Sequence, residues 1–278
     1  MKKQSLEIPG SLVSLPIPGS DRVLDGFWAH GPRRKRGLLI LVHGMGGNFF
    51  RSRFRKELLL RSRNSRFDAL SFNNRGADRD VATEKFMDCV SDLDTAIRFG
   101  LARGYRKFVL MGHSTGCQKV TLYQAVRRRK DVAALVLGSI GDDLAISRHN
   151  LGRDYARWVK RATALVARGR GQTILPAGCQ GFSAARFLSI ADPRQLEARL
   201  FDFEGPLTQF RKITCPTLVI LGSCEEFACI PVAQMIEILE KKSRARRFAS
   251  IIVPGGDHGF HGQEVPTART VYRWLGTL

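Results

Sequence analysis

The fold is decided by residues 107–116, which read KFVLMGHSTG. The apolar run FVLM has the length and composition of a buried β-strand, and the segment after Gly116 has helical character. Between them lies the pattern Gly-x-Ser-x-Gly, with Ser114 at its centre and Gly112 and Gly116 on either side. A tight strand-to-helix turn needs small residues at these two positions. The stretch therefore predicts a nucleophile elbow, which exposes the Ser114 hydroxyl at the N-terminus of a helix, where free N–H groups stabilise negative charge.

A glycine-rich loop is the second signal. Residues 43–48 read HGMGGN and follow an apolar run at 38–42. Such a loop lets backbone N–H groups face the serine and hold a developing oxyanion, and we expect the donors to be the N–H groups of Met45 and Thr115. A phosphate-binding turn and an ordinary strand-to-helix loop are the alternatives. The loop lacks both the dinucleotide spacing G-x-G-x-x-G and the Lys-Ser/Thr of a P-loop.

A histidine follows the last apolar run, at 249–253. His258 lies in the loop PGGDHGF, where its imidazole could reach the serine as a general base. His261 is the second candidate, three residues further on. His43 and His113 flank the predicted site, and we expect them to shape its loops rather than to titrate in catalysis.

An acid is needed to orient the imidazole and to stabilise its charged form. The apolar run 217–221 is followed by GSCEEF, which makes Glu225 the first choice and Glu226 its close rival. Asp142 and Asp143 follow the preceding strand and are a third option. Alternatively, the two glutamates are solvated loop charges.

Short apolar runs alternate with longer helical segments along most of the chain. This alternation is typical of an α/β fold with a largely parallel sheet covered on both faces. The predicted strands are 12–17, 23–29, 38–43, 69–72, 108–111, 133–137, 217–221 and 249–253. The predicted helices are 51–61, 81–103, 118–129 and 230–242.

The alternation stops between residues 141 and 210. This stretch has helical character at 155–168, 183–188 and 193–200 but no strong strand candidate. We therefore expect a helical cap or lid, residues 141–210, inserted into a core formed by residues 1–140 and 211–278. Its larger apolar side chains form either an acyl site under a cationic rim or the core of the cap itself. They are Tyr155, Trp158, Leu165, Phe182, Phe187 and Leu188.

The order of the three candidate residues is Ser114, then Glu225, then His258. In this order and in its motifs the sequence resembles the α/β-hydrolase superfamily over nearly the whole chain. The resemblance implies a twisted, mostly parallel eight-stranded sheet flanked by helices, with a cap between the sixth and seventh strands. The extended elbow GHSTGCQ resembles a branch that includes fungal siderophore-releasing esterases. One departure is that most members have aspartate where this chain has Glu225.

The chemistry expected of these residues is hydrolysis of a carboxylic ester of a small molecule through an acyl-enzyme on Ser114. That mechanism needs no metal and no organic cofactor. Two alternatives stay open at this point. The chain could be an acyltransferase that uses the same three residues, or a non-catalytic binding protein of the same fold.

Composition limits the remaining possibilities. The chain has 278 residues, a net charge of +20 and 44% apolar residues, as in a folded globular protein. No apolar signal-peptide core and no membrane span is evident, and six scattered cysteines suit a reducing compartment, so we expect a cytoplasmic protein. The basic residues are spread over the chain, which does not favour nucleic-acid binding. Residues 33–36, Arg-Arg-Lys-Arg, are the best candidate for a contact with an anionic surface.

Overall fold

A single eight-stranded sheet forms the centre of the protein, in a computed structural model that describes residues 6–31, 35 and 37–278. The strands are β1 (Ser11–Pro16), β2 (Val23–Ala29), β3 (Gly37–Val42), β4 (Phe67–Phe72), β5 (Lys107–His113), β6 (Val132–Gly138), β7 (Thr217–Gly222) and β8 (Phe248–Val253). Their order is β1-β2-β4-β3-β5-β6-β7-β8. Only the pairs β1–β2 and β2–β4 are antiparallel. The predicted fold class and its eight strands are confirmed.

The apolar runs of the central strands reflect burial on both faces of the sheet. In β3, Leu38, Ile40 and Val42 point into one core, and Leu39 and Leu41 point into the other. Successive side chains of a strand alternate between faces, so a strand covered on both sides must be apolar throughout. Every residue of β3, β4 and β7 is buried.

Helices cover both faces of this sheet. The core helices are α1 (Arg53–Ser62), α2 (Asp88–Ala102), α3 (Gly116–Arg127), α7 (Val232–Lys242) and α8 (Glu264–Leu275). Helices α1 and α8 pack on one face, and α2, α3 and α7 on the other. The predicted helix at 81–103 is instead a short 3-10 helix (Asp78–Thr83) followed by α2.

A helical segment joins β6 to β7. It contains α4 (Asp143–Leu151), α5 (Tyr155–Ala167) and α6 (Ala184–Ala191), which enclose an apolar cluster of their own. The prediction of a helix at 193–200 was wrong, because that stretch forms turns. The Asp192 carboxylate accepts the backbone N–H of Arg194 at 2.9 Å, a local bond that competes with helix formation.

The structure describes one residue, Lys35, of the basic run at 33–36. Arg33, Arg34 and Arg36 lie outside the described residues. Lys35 turns inward, since its Nζ donates to the carbonyl oxygen of Ser62 at 2.5 Å and lies 3.3 Å from a carboxylate oxygen of Asp68.

Two further features concern the helices and the cysteines. Within the described ranges, no helix is both long enough and apolar enough to cross a membrane. The six cysteines are free thiols, and only Cys224 and Cys229 are exposed.

Candidate active site

Ser114 lies in the turn between β5 and α3. Its φ of +57° is in the left-handed region, which a serine adopts only when its surroundings hold it there. Its backbone N–H donates to the Gly138 carbonyl at 2.9 Å. A Cβ at Gly112 would collide with the backbone of Gly116, and a Cβ at Gly116 would collide with the carbonyl oxygen of Val42. The two glycines are therefore required by the close approach of three backbone segments.

His258 and Glu225 meet at the same edge of the sheet. Nδ1 of His258 lies 2.6 Å from Oε1 of Glu225. The Glu225 side chain is completely buried, and that of His258 is 17% exposed. Strands β7 and β8 are parallel neighbours, so the loops that follow them emerge side by side. The Phe227 ring packs edge-on against the imidazole, with the ring centroids 4.7 Å apart.

The rival acids have other contacts. Oε2 of Glu226 accepts the backbone N–H of His258 at 2.8 Å, so this carboxylate holds the loop and not the ring. Asp142 caps helix α4, and Asp143 accepts a hydrogen bond from a side-chain amide on α3. Of the four candidates, Glu225 alone hydrogen-bonds the imidazole in the described part of the chain.

The glycine-rich loop passes directly against the serine. A Cβ at Gly44 would lie 2.6 Å from the Cβ of Ser114, so only glycine allows this approach. The backbone N–H groups of Met45 and Thr115 donate no hydrogen bond to any described residue. Both residues line the cavity that contains Ser114. These two donors are thus available to a negatively charged oxygen.

The other histidines do not compete for the role of base. His113 is half-buried, and its Nε2 donates to the carbonyl oxygen of His258 at 2.7 Å. Burial, reinforced by the neighbouring His258, lowers the pKa of His113 to about 3, so this ring is neutral. Burial also lowers the pKa of His43 well below its usual value. His261 is exposed and paired with Asp257 at 2.8 Å, a hydrogen bond that raises its pKa.

A cavity of about 270 Å³ contains the candidate residues. Ser114, Thr115, His258 and Met45 line it. The Ser114 hydroxyl makes no hydrogen bond within the described ranges. Contacts between a nucleophile and its base often close only in the substrate complex.

A larger cavity, of about 720 Å³, lies at the opposite edge of the sheet. It borders Gly37, Phe67 and Lys107, the first residues of β3, β4 and β5. It contains none of the predicted site residues. The candidate chemistry is therefore confined to the carboxyl edge of the parallel strands, where ligands bind in open α/β sheets.

Sequence analysis missed one wall of the site. Ile146, Ser147 and Asn150 of α4 line the cavity together with Asp143. They lie three, four and seven residues after Asp143, and this helical spacing could have shown that the four residues share one face. A face with such mixed polar and apolar side chains is, however, usually exposed to solvent. The six large apolar residues singled out in the insertion lie instead in its internal cluster, and none of them lines the cavity.

Comparisons with known proteins agree with this architecture. A family model described as "Alpha/beta hydrolase family" matches residues 39–271. The siderophore hydrolase EstB from Aspergillus fumigatus is similar, with a TM-score of 0.73 and 17% identity over 98% of each chain. Est1E from Butyrivibrio proteoclasticus, solved with ferulic acid bound, has a TM-score of 0.71 and 16% identity, covering 95% of this chain and 97% of that one.

A highly thermostable carboxyl esterase from Bacillus coagulans, in complex with glycerol, has a TM-score of 0.71 and 12% identity, covering 98% of this chain and 99% of that one. No curated protein matches the chain. At such low identities, the similarity to solved structures establishes the fold alone.

Proposed function

The chain belongs to the alpha/beta hydrolase family, and from this we propose that it is a serine hydrolase that cleaves a carboxylic ester of a small molecule through an acyl-enzyme on Ser114. One observation carries the proposal. The imidazole of His258 is held by the buried Glu225 at 2.6 Å and borders the cavity that Ser114 also lines. This supports Ser114 as the nucleophile, His258 as the base that shares its cavity, and Glu225 as the acid that orients the base.

In the proposed first step, the Ser114 hydroxyl attacks the ester carbonyl while Nε2 of His258 takes its proton. Glu225 accepts the Nδ1–H bond, which fixes the tautomer and stabilises the imidazolium that forms. The negative oxygen of the tetrahedral intermediate is bound by the N–H groups of Met45 and Thr115. Removing one such donor typically costs about 2.7–4 kcal/mol of transition-state stabilisation.

In the second half of the reaction, His258 gives its proton to the leaving alcohol, and the acyl group stays on Ser114. Water then attacks the acyl-enzyme, with His258 again accepting a proton, and the carboxylic acid is released. Helix α3 starts directly after Thr115, so its N-terminal dipole favours the negative charge in both steps.

The ester chemistry is also supported by the similar structures. They are named as a siderophore hydrolase, as a carboxyl esterase and as Est1E with ferulic acid bound. We further propose that residues 141–210 act as a cap over a core of residues 1–140 and 211–278. Helix α4 supports this, because it belongs to the inserted segment and lines the cavity of Ser114.

The proposal is tested with a fluorophosphonate probe and a panel of aryl esters of increasing acyl length. We expect one covalent label per chain, located on Ser114 by peptide mass spectrometry, and ester hydrolysis that Ser114→Ala abolishes. Ser243→Ala, which changes a serine outside the cavity, is the matched control. Product analysis with added alcohols separates hydrolysis from acyl transfer. Hydrolysis that survives Ser114→Ala would refute the serine mechanism.

A further inference from the structure

One face of helix α4 forms a wall of the cavity beside Ser114. Asp143, Ile146, Ser147 and Asn150 all line it, at the helical spacing that places residues on one side. Three of these four side chains are polar. A pocket that selects plain alkyl chains would present aliphatic groups here.

Polar atoms on this wall lack partners. The Ser147 hydroxyl is buried and makes no hydrogen bond to any described residue, and the same is true of the Thr115 hydroxyl across the cavity. Oδ2 of Asp143 accepts a hydrogen bond from the Gln118 amide at 2.9 Å. Its Oδ1 has no partner among the described residues and is not sealed from solvent. An unpaired buried hydroxyl is costly, so a ligand toward which the Ser147 hydroxyl turns would supply the missing hydrogen bond, and Oδ1 of Asp143 is open to the same ligand.

The charge around Asp143 defines what it can pair with. Behind the wall, Lys119 lies 2.6 Å from Glu84, and Arg186 lies 3.2 Å from Glu84 and 2.5 Å from Glu197. Lys119 and Arg186 are thus paired with Glu84 and Glu197, and neither forms an ion pair with Asp143 among the described residues. Burial, followed by the nearby Glu197, raises the pKa of Asp143 well above its usual value. A protonated Asp143 can donate as well as accept.

The cavity wall has no basic side chain that would pair with an anionic group of the substrate, since no lysine or arginine is among the described residues that line it, in spite of the net charge of +20. Its volume of about 270 Å³ lies just below the usual range for drug-sized ligands, about 300–1,000 Å³. The substrate portion that fits is small and uncharged.

From this arrangement we infer that the cavity selects short esters with an aliphatic hydroxyl group near the scissile bond, recognised by Asp143 and Ser147. This inference rests on the proposed ester hydrolysis. A hydroxyl matches both residues because it donates and accepts. The hydroxyl can belong to the acid half or to the alcohol half of the ester.

Two matched substrate pairs distinguish these halves. Ethyl 3-hydroxybutyrate and ethyl butyrate differ in the acid, and glycerol monobutyrate and propyl butyrate differ in the alcohol. Acid release is followed in a pH-stat. We expect kcat/KM to favour the hydroxylated ester in at least one pair by about tenfold or more, the usual scale for a site that leaves polar groups unpaired with the wrong substrate.

Variants then test the two residues through the preference ratio, which is kcat/KM for the hydroxylated ester divided by kcat/KM for its unhydroxylated partner. Ser147→Ala and Asp143→Leu should each lower it by about threefold or more, and Asp143→Asn should retain most of it, because an amide also donates and accepts. Thr163→Val is the matched control, since this α5 hydroxyl bonds to the Val159 carbonyl outside the cavity and should leave the ratio unchanged.

The outcomes separate the two proposals. Three outcomes would overturn the inference and leave the serine mechanism intact. The preference ratios could be near one in both pairs, or neither Ser147→Ala nor Asp143→Leu could change them. The third is cleavage of aryl esters without cleavage of any of the four esters. If no ester is cleaved and Ser114 is not labelled, the proposed function itself fails.

Discussion

Nδ1 of His258 lies 2.6 Å from Oε1 of Glu225, although 33 positions separate the two residues in the chain. The contact follows from the parallel pairing of β7 with β8, which brings the loops after both strands to one edge. A Cβ at Gly222, the last residue of β7, would collide with the backbone of Gly256, so the two loops pack in direct contact. The backbone N–H of His258 also binds Glu226. The histidine loop is thus fixed by two carboxylates with different tasks.

This difference predicts an unequal effect of two isosteric substitutions. Glu225→Gln removes the charge that stabilises the imidazolium and should lower kcat by about 10²–10⁴-fold, as expected for an orienting acid. Glu226→Gln should lower it by less than about tenfold, since an amide oxygen still accepts the His258 N–H. Steady-state kinetics on an aryl ester measure both values. The opposite ranking would mean that Glu226 is the acid of the site.

A second prediction concerns the elbow. Gly112→Ala should lower the free energy of unfolding by about 1–3 kcal/mol or more, because the new methyl group meets the backbone of Gly116 in a packed turn. Gly178→Ala is the matched control, since a Cβ there has no heavy atom within 4 Å. Urea unfolding followed by circular dichroism gives both values. Equal stability of the two variants would contradict the close approach at the elbow.

Much of the fold could be predicted from local patterns. The buried strands are continuous apolar runs, and Ser114 is marked by glycines that the turn requires. Helix α8 was missed, and its Pro266 in the first turn, where proline is tolerated, reads as a helix breaker in the sequence. Ser147 resembles a surface residue in sequence and Asp143 was a candidate only for the acid, and only the tertiary structure places both in the wall of the cavity. The choice between Glu225 and Glu226 also depends on loop conformation, which spacing does not specify.

A pH dependence of stability follows from His113. Its pKa is about 3 in the folded protein and about 6.5 in an unfolded chain, so the unfolded state binds more protons between these values. The stability that this group contributes is complete above pH 6.5 and decreases as the pH falls toward 3. Between pH 7 and pH 5 the loss should be about 1–2 kcal/mol.

The test compares urea unfolding of the wild type with that of His113→Gln at the two pH values. Buried carboxylates such as Asp143 change stability in the opposite direction, because their pKa is raised in the fold. The difference between the two proteins in the loss of unfolding free energy from pH 7 to pH 5 measures the contribution of His113. We expect a smaller loss on acidification in the variant, whose amide can still donate to the His258 carbonyl. An identical loss in both proteins would rule out the contribution of this ring.

The ion pairs behind the cavity give the last prediction. Lys119 on α3 and Glu84 lie 2.6 Å apart with both side chains buried, and the buried Arg186 pairs with Glu84 and Glu197. Removing Lys119 therefore leaves two buried carboxylates with one cation in a low-dielectric interior. Lys119→Met should cost about 3–5 kcal/mol of unfolding free energy, and Lys119→Met combined with Glu84→Gln should cost less than the single change. Lys241→Met removes an exposed pair with Glu237 and should cost less than about 1 kcal/mol. Chemical denaturation of the four proteins, wild type included for reference, tests this order. If the double variant is less stable than Lys119→Met, the excess negative charge of the buried cluster is not the source of the loss, and the packing of the lysine chain is the better explanation.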